Sequence, residues 1–204
     1  MNKKDGRMDR FIKQSLWLSL CVLILSGNPS GAGENRTGTP DSKYVARGKE
    51  LVTQGNCDYC HTPLVETNEG PVPDMKRRLS GRPQDAEIPG LPAADIGSPE
   101  WIEFLGTLDT TEWAGPWGLT FSKNITPDPG TGIGKWTVEI FIETMRSGRH
   151  VDLKRNILPP MPWQDYGKLG DDDLKSIFAY LMTIPPVVNA VPMPVPMPQK
   201  KSVK

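Results

Sequence analysis

SKYVARGKELVTQGNCDYCH, residues 42–61, decides how this chain is read. Its first part places Tyr44, Val45, Gly48, Leu51 and Val52 on one face of a helix over Ser42–Gln54. Gly48 costs a helix interior ~1 kcal/mol relative to alanine, and a residue that unfavourable marks close approach by another helix. Asn56-Cys57-Asp58-Tyr59-Cys60-His61 follows at once. Cys-x-x-Cys-His is the pattern for covalent haem attachment. Two thiols must each add to a haem vinyl group, and the adjoining histidine must place a ring nitrogen on the iron. Two intervening residues let both sulfurs reach the ring edge while His61 lies beneath the metal.

Competing uses of the same residues lack their other parts. A structural zinc site needs two further ligands, and the chain has no second Cys-x-x-Cys and only one other histidine, His150. A redox-active dithiol wants a β-α-β setting, which the sequence does not show. Of three cysteines, Cys21 lies in an apolar N-terminal run, so no disulfide framework exists.

Upstream, Lys3, Lys4, Arg7, Arg10 and Lys13 precede the apolar run Ser15–Gly27, and Ser30 and Ala32 supply the small residues of a cleavage site. Residues 1–32 therefore read as a signal peptide, which makes the expected location periplasmic. The run of 13 residues falls short of the ~20 that span a bilayer, and an uncleaved N-terminal anchor is the alternative. Residues 33–41 form a polar lead-in. Basic and acidic residues balance at 24 each, so no field points to nucleic acid.

Downstream, Thr62–Gly118 reads as long, irregular and rich in Pro and Gly, with a short helix over Pro99–Leu105. Asn124–Gly134 (NITPDPGTGIG) is dense in turn residues, and its Gly130–Gly134 cluster is a turn, since no strand precedes it. A second main helix spans Val138–Arg146 between Thr137 as N-cap and Gly148 as stop, with Val138, Phe141, Ile142 and Met145 as its stripe. A third spans Asp171–Thr183 with Leu174, Ile177, Phe178 and Leu181 inward, ended by Pro185-Pro186. No strand alternation is visible. Residues 187–204, with their VPMPVPMP run and Lys200, Lys201 and Lys204, read as an extended, disordered tail.

The sixth iron ligand has several candidates: Met75, Met145, Met161, Met182, Met193, Met197 and His150. Met145 and Met182 sit in helices as packing residues, and Met193 and Met197 belong to the tail. Met161 lies in Leu158-Pro159-Pro160-Met161-Pro162-Trp163, where three prolines freeze the backbone around one thioether. It is the preferred ligand, with loop packing beside Trp163 as the bland alternative. Trp113, Trp117, Trp136 and Trp163 are equally candidates for the haem pocket and for plain core.

Cys57–His61, the proline-flanked Met161 and the C-terminal helix LKSIFAYLMTIPP together resemble the class I cytochrome c family. More narrowly, Ala114–Thr137 (AGPWGLTFSKNITPDPGTGIGKWT) and Leu158–Tyr166 (LPPMPWQDY) resemble bacterial cytochromes and cytochrome subunits of periplasmic dehydrogenases. The likeness runs from about Tyr44 to Val187. It implies an all-α class I cytochrome c fold over residues 42–186, with a long irregular insertion between the attachment motif and the second main helix. The separation of 100 positions between His61 and Met161 reflects that insertion. It also implies that the first helix crosses the last, bringing Gly48 against Phe178 and Tyr180.

The expected function is one-electron transfer, not catalysis, by one covalent haem c ligated by His61 and Met161. The expected partners are redox proteins, met transiently or within a complex: a periplasmic dehydrogenase as donor, a terminal oxidase or another cytochrome as acceptor. One alternative is a peroxidase-like haem enzyme with a displaceable Met161. Another is a docking module in which the haem is structural.

Overall fold

A computed structural model describes residues 41–151 and 153–198. The expected signal peptide, the lead-in up to residue 40, and residues 199–204 lie outside the described residues. The described part is mostly helical with a few short strands, compatible with the expected cytochrome c fold.

Helix α1 (Ser42–Gln54) starts where the Asp41 carboxylate accepts from the Lys43 N–H, and it buries Gly48, Leu51 and Val52. Helix α6 (Asp171–Leu181) buries Leu174, Ser176, Ile177, Tyr180 and Leu181 against it. The crossing runs through Gly48, where a Cβ would lie 1.9 Å from the Ser176 carbonyl oxygen and 2.7 Å from Tyr180 Cβ. The expected crossing is present, with Ser176 rather than Phe178 as the nearest neighbour. Arg47 clamps one end, donating from Nε and Nη2 to both carboxylate oxygens of Asp173 at 2.9 and 3.2 Å.

Helix α4 (Val138–Ser147) is capped by the Thr137 hydroxyl and ended by Gly148 at φ 66°. A Cβ on Gly148 would meet the Trp163 indole at 2.4 Å, so its left-handed turn also admits that ring. Phe141 and Thr144 are the buried residues of α4, while Ile142 and Met145 are half-buried beside them. Leu51, Val52, Leu79, Ile133, Phe141, Leu174, Ile177 and Ile184 belong to one core cluster.

The segment after the motif is less irregular than its composition implies. It contains the hairpin β1 (Leu64–Thr67) with β2 (Gly70–Pro73), a 3₁₀ turn over Met75–Arg77, and helix α3 (Pro99–Leu105). A second hairpin pairs β3 (Glu112–Gly115) with β4 (Gly118–Phe121), and a third pairs β5 (Arg149–His150) with β6 (Arg155–Asn156). Their sequences do not alternate for a physical reason. β1 and β2 are almost wholly exposed, β4 is wholly buried, and neither condition produces a period of two. Fully buried Arg82 holds the following loop, pairing with Glu112 and donating to the carbonyls of Pro83, Ala86 and Glu87.

Residues 187–198 correct the expectation of a disordered tail. Val195 exchanges backbone hydrogen bonds with Leu119 at 2.8 and 2.9 Å, next to Gly118, where a Cβ would strike the Val195 carbonyl. Asn189 is 5% exposed. Its Nδ2 donates to the carbonyls of Ser80 and Arg82, at 2.7 and 2.8 Å, and its Oδ1 accepts from Gln84 N–H. Proline removes donors, but the carbonyls of such a segment still accept, and one amide at the right place staples it down.

Candidate functional site

The attachment motif forms the short helix α2 (Cys57–His61), entered through Asn56 in the left-handed region at φ 51°. Asparagine tolerates that region better than most residues, so the chain turns sharply out of α1 into α2. Tyr166, from α5 (Trp163–Tyr166), donates to the Gly55 carbonyl at 2.9 Å and lies 3.9 Å from Cys57 Sγ. Both thiols are free, and burial pushes both above the ordinary thiol value.

His61 is aimed by a backbone contact. Its Nδ1 lies 2.7 Å from the Lys123 carbonyl, and a carbonyl only accepts, so the proton sits on Nδ1. Nε2 is then left with its lone pair. Burial lowers the His61 pKa below its ordinary 6.5, which keeps the ring neutral and able to ligate. The His61 carbonyl in turn accepts from Gly81 N–H at 2.7 Å.

The first variable position of the motif anchors it. Asp58 takes two hydrogen bonds from Arg78, at 2.6 and 2.7 Å, and a third from the Thr62 hydroxyl. Arg78 also donates to the Tyr180 hydroxyl at 2.8 Å, tying the motif to α6. This pairing, which raises the Arg78 pKa, left no local signal in the sequence, since its partners are 20 and 102 positions away. Tyr59, the second variable position, is exposed.

One cavity of about 550 Å³ brings Cys57, Cys60, His61 and Met161 together. That is a common size for a cofactor site. Its walls include Ile125, Ile133, Phe141, Leu158, Ile177 and Leu181. Met145, His150 and Met193 line it too, so lining alone does not single out Met161. Met75 is exposed, and Met182 and Met197 do not line the cavity. Of the four tryptophans considered, Trp113 and Trp136 line it, whereas Trp163 packs on Gly148 and Trp117 on Gly115.

The Asn124–Gly134 connector forms one wall as a built turn. The Asp128 carboxylate accepts from Gly130 N–H, Thr131 N–H and the Thr131 hydroxyl, which holds its pKa below the ordinary 3.8. Tail residues Ala190, Val191 and Met193 supply another wall, which no local feature of the sequence announces.

These residues fit a haem. Two thiols and an imidazole with its outer nitrogen unprotonated face an apolar cavity. Trp113 Nε1 is buried without a hydrogen-bond partner among the described residues, although its ring lines the cavity. A buried donor of that kind matches a carboxylate on an otherwise apolar ligand. Among the described residues, no group of three or more His, Cys, Asp or Glu is placed to hold a metal ion. No helix among them is long and apolar enough to cross a membrane.

No protein-family model matches the chain. It is 39% identical over 142 residues to the cytochrome c subunit of a Gluconobacter oxydans alcohol dehydrogenase (quinone), covering 70% of this chain and 22% of the relative. It is 36% identical over 93 residues to the cytochrome c subunit of a Pantoea cypripedii gluconate 2-dehydrogenase, covering 41% of this chain and 20% of that protein. A dihaem c-type cytochrome of Cereibacter sphaeroides is 35% identical, over 86% of this chain and 50% of its own length. The chain thus spans half the length of these relatives or less. Likeness to cytochrome c subunits and to a dihaem cytochrome supports a c-type cytochrome with an electron-carrier role.

Proposed function

We propose that this chain is a periplasmic one-electron carrier holding a single haem c, attached through Cys57 and Cys60 and ligated by His61 and Met161. The supporting observation is that these four residues share one cavity in which His61 Nδ1 is already committed to the Lys123 carbonyl.

The haem supplies a one-electron couple, and a thioether ligand raises its potential relative to harder donors. The protein does the rest. Cys57 and Cys60, both free thiols, would hold the haem, each able to form a thioether by adding its S–H across a vinyl group with no other reactant. The Lys123 carbonyl holds the His61 tautomer and ring plane. Apolar walls exclude water, and Trp113 Nε1 offers a donor to a haem carboxylate. Asp58, through Arg78 and Tyr180, fixes α2 to α6, so that the motif keeps its place in both oxidation states. One Cys-x-x-Cys-His motif in the chain supports one haem. The donor is a dehydrogenase of the kind its relatives serve, and the acceptor a terminal oxidase or another cytochrome. Contact is transient or within a complex, reached after export directed by residues 1–32.

Expression in a host able to mature c-type cytochromes tests this reading. Expected are one covalent haem per chain by intact mass and one reversible one-electron step on potentiometric titration. A correctly exported chain without covalent porphyrin overturns it.

A peroxidase-like reading has one observation in its favour: His150 and Arg155 are paired across β5 and β6 and line the same cavity as Met161. Rapid carbon monoxide binding by the ferrous protein would favour an enzyme with a displaceable Met161.

A further inference from the structure

Lys123 meets the site twice. Its carbonyl accepts from His61 Nδ1 at 2.7 Å, and its ammonium lies 3.4 and 3.3 Å from the carbonyls of Val191 and Pro192. Those two residues belong to the segment whose Ala190, Val191 and Met193 line the cavity. The segment is also fastened at both sides of this contact. Asn189 and Ala190 exchange hydrogen bonds with Gln84, through Gln84 N–H to Asn189 Oδ1 and Ala190 N–H to Gln84 Oε1, each at 2.8 Å. Asn189 N–H donates to the Thr131 hydroxyl at 2.9 Å, and Val195 pairs with Leu119.

We propose that residues 187–198 are a strap closing the haem cavity, and that Lys123 is the positioning residue coupling this strap to the His61 side of the site. The inference rests on the haem reading above and adds to it a means of setting the potential. A half-buried ammonium beside the cavity favours the state carrying the extra electron. A closed apolar wall keeps water from the iron and acts in the same direction, because solvent exposure and neighbouring charge are two of the protein's levers on a haem potential. One residue therefore links three things that are far apart in sequence: the axial histidine, the strap and a fixed positive charge.

The test uses the full-length holoprotein and measures midpoint potentials by spectroelectrochemistry. Lys123→Met keeps the aliphatic stem and removes the charge, and Lys123→Arg restores it. Asn189→Ala unfastens the strap, and Val188→Ser alters a position of the same segment that is 75% exposed. In Lys123→Met the reduced-to-oxidised ratio at fixed poise is expected to fall on the order of tenfold, about 59 mV for a one-electron couple. Lys123→Arg should recover most of this. Asn189→Ala should shift the potential the same way and speed reduction by a small hydrophilic reductant, while Val188→Ser does neither.

If Asn189→Ala does not fold, the Lys123 pair still decides. Haem-loaded Lys123→Met with the wild-type potential overturns the inference and leaves the carrier reading intact. A wild-type chain without covalent haem overturns both.

Discussion

Gly48 and the Ser176 carbonyl occupy the same space at the crossing of α1 and α6: a Cβ on Gly48 would lie 1.9 Å from that oxygen. The neighbour is backbone, so no rotamer change relieves the clash, and the helices must separate. The helix-propensity penalty of a glycine at this position is offset by contact that no other residue permits.

Gly48→Ala is expected to destabilise the protein by about 3 kcal/mol, the upper part of the range for overpacked cores. Gly90→Ala meets nothing within 4 Å and is expected to stay within about 0.5 kcal/mol of wild type. Urea unfolding of the pair checks both. Equal stabilities would remove the close crossing.

Met161→Ala is expected to remove the signature of thioether–iron ligation from the ferric visible spectrum and lower the midpoint potential. Met145→Ala and Met193→Ala, which line the same cavity, are expected to keep that signature. Loss of the signature in one of these, and not in Met161→Ala, would reassign the ligand.

Arg78→Met breaks two hydrogen bonds to Asp58 and one to Tyr180. The pair is about a quarter to a third exposed, which puts it between surface and buried ion pairs in strength. A loss of about 1–2 kcal/mol is expected. Tyr180→Phe removes only the last bond and should cost about 1 kcal/mol or less. Thermal unfolding of the holoproteins ranks the two.

Asp128 gives an acid dependence with a definite sign. Its folded-state pKa is depressed chiefly by the Thr131 hydroxyl and N–H, so its contribution is present above the ordinary 3.8 and disappears as pH falls through the lower folded value. Asp128→Asn is expected to be less stable than wild type at neutral pH and to show a shallower loss of stability below about pH 4. Parallel pH–stability curves for the two proteins would contradict this.

The three main helices were legible because their signals are local. Thr137 and Gly148 bracket α4, the acidic run opens α6, and α1 and α3 begin and end where capping and breaking residues place them. The hairpins were not legible, since strands that are almost wholly exposed, wholly buried or only two residues long carry no alternation. Nor was the seating of the tail. VPMPVPMP has the composition of a solvated segment, while its attachment depends on Val195 pairing with Leu119 and on the preceding Asn189 meeting carbonyls more than a hundred positions away.

What the chain of residues determined by itself is the Cys57-x-x-Cys60-His61 spacing that the haem proposal rests on and the order of the helices, because spacing and capping act over a few residues. Tertiary structure alone decided that the Lys123 carbonyl aims His61, that Arg78 anchors Asp58, and that residues 187–198 wall the cavity. Each of those depends on a hydrogen bond closing a loop of 20 to 109 positions, and no property of either partner's neighbours in sequence announces it.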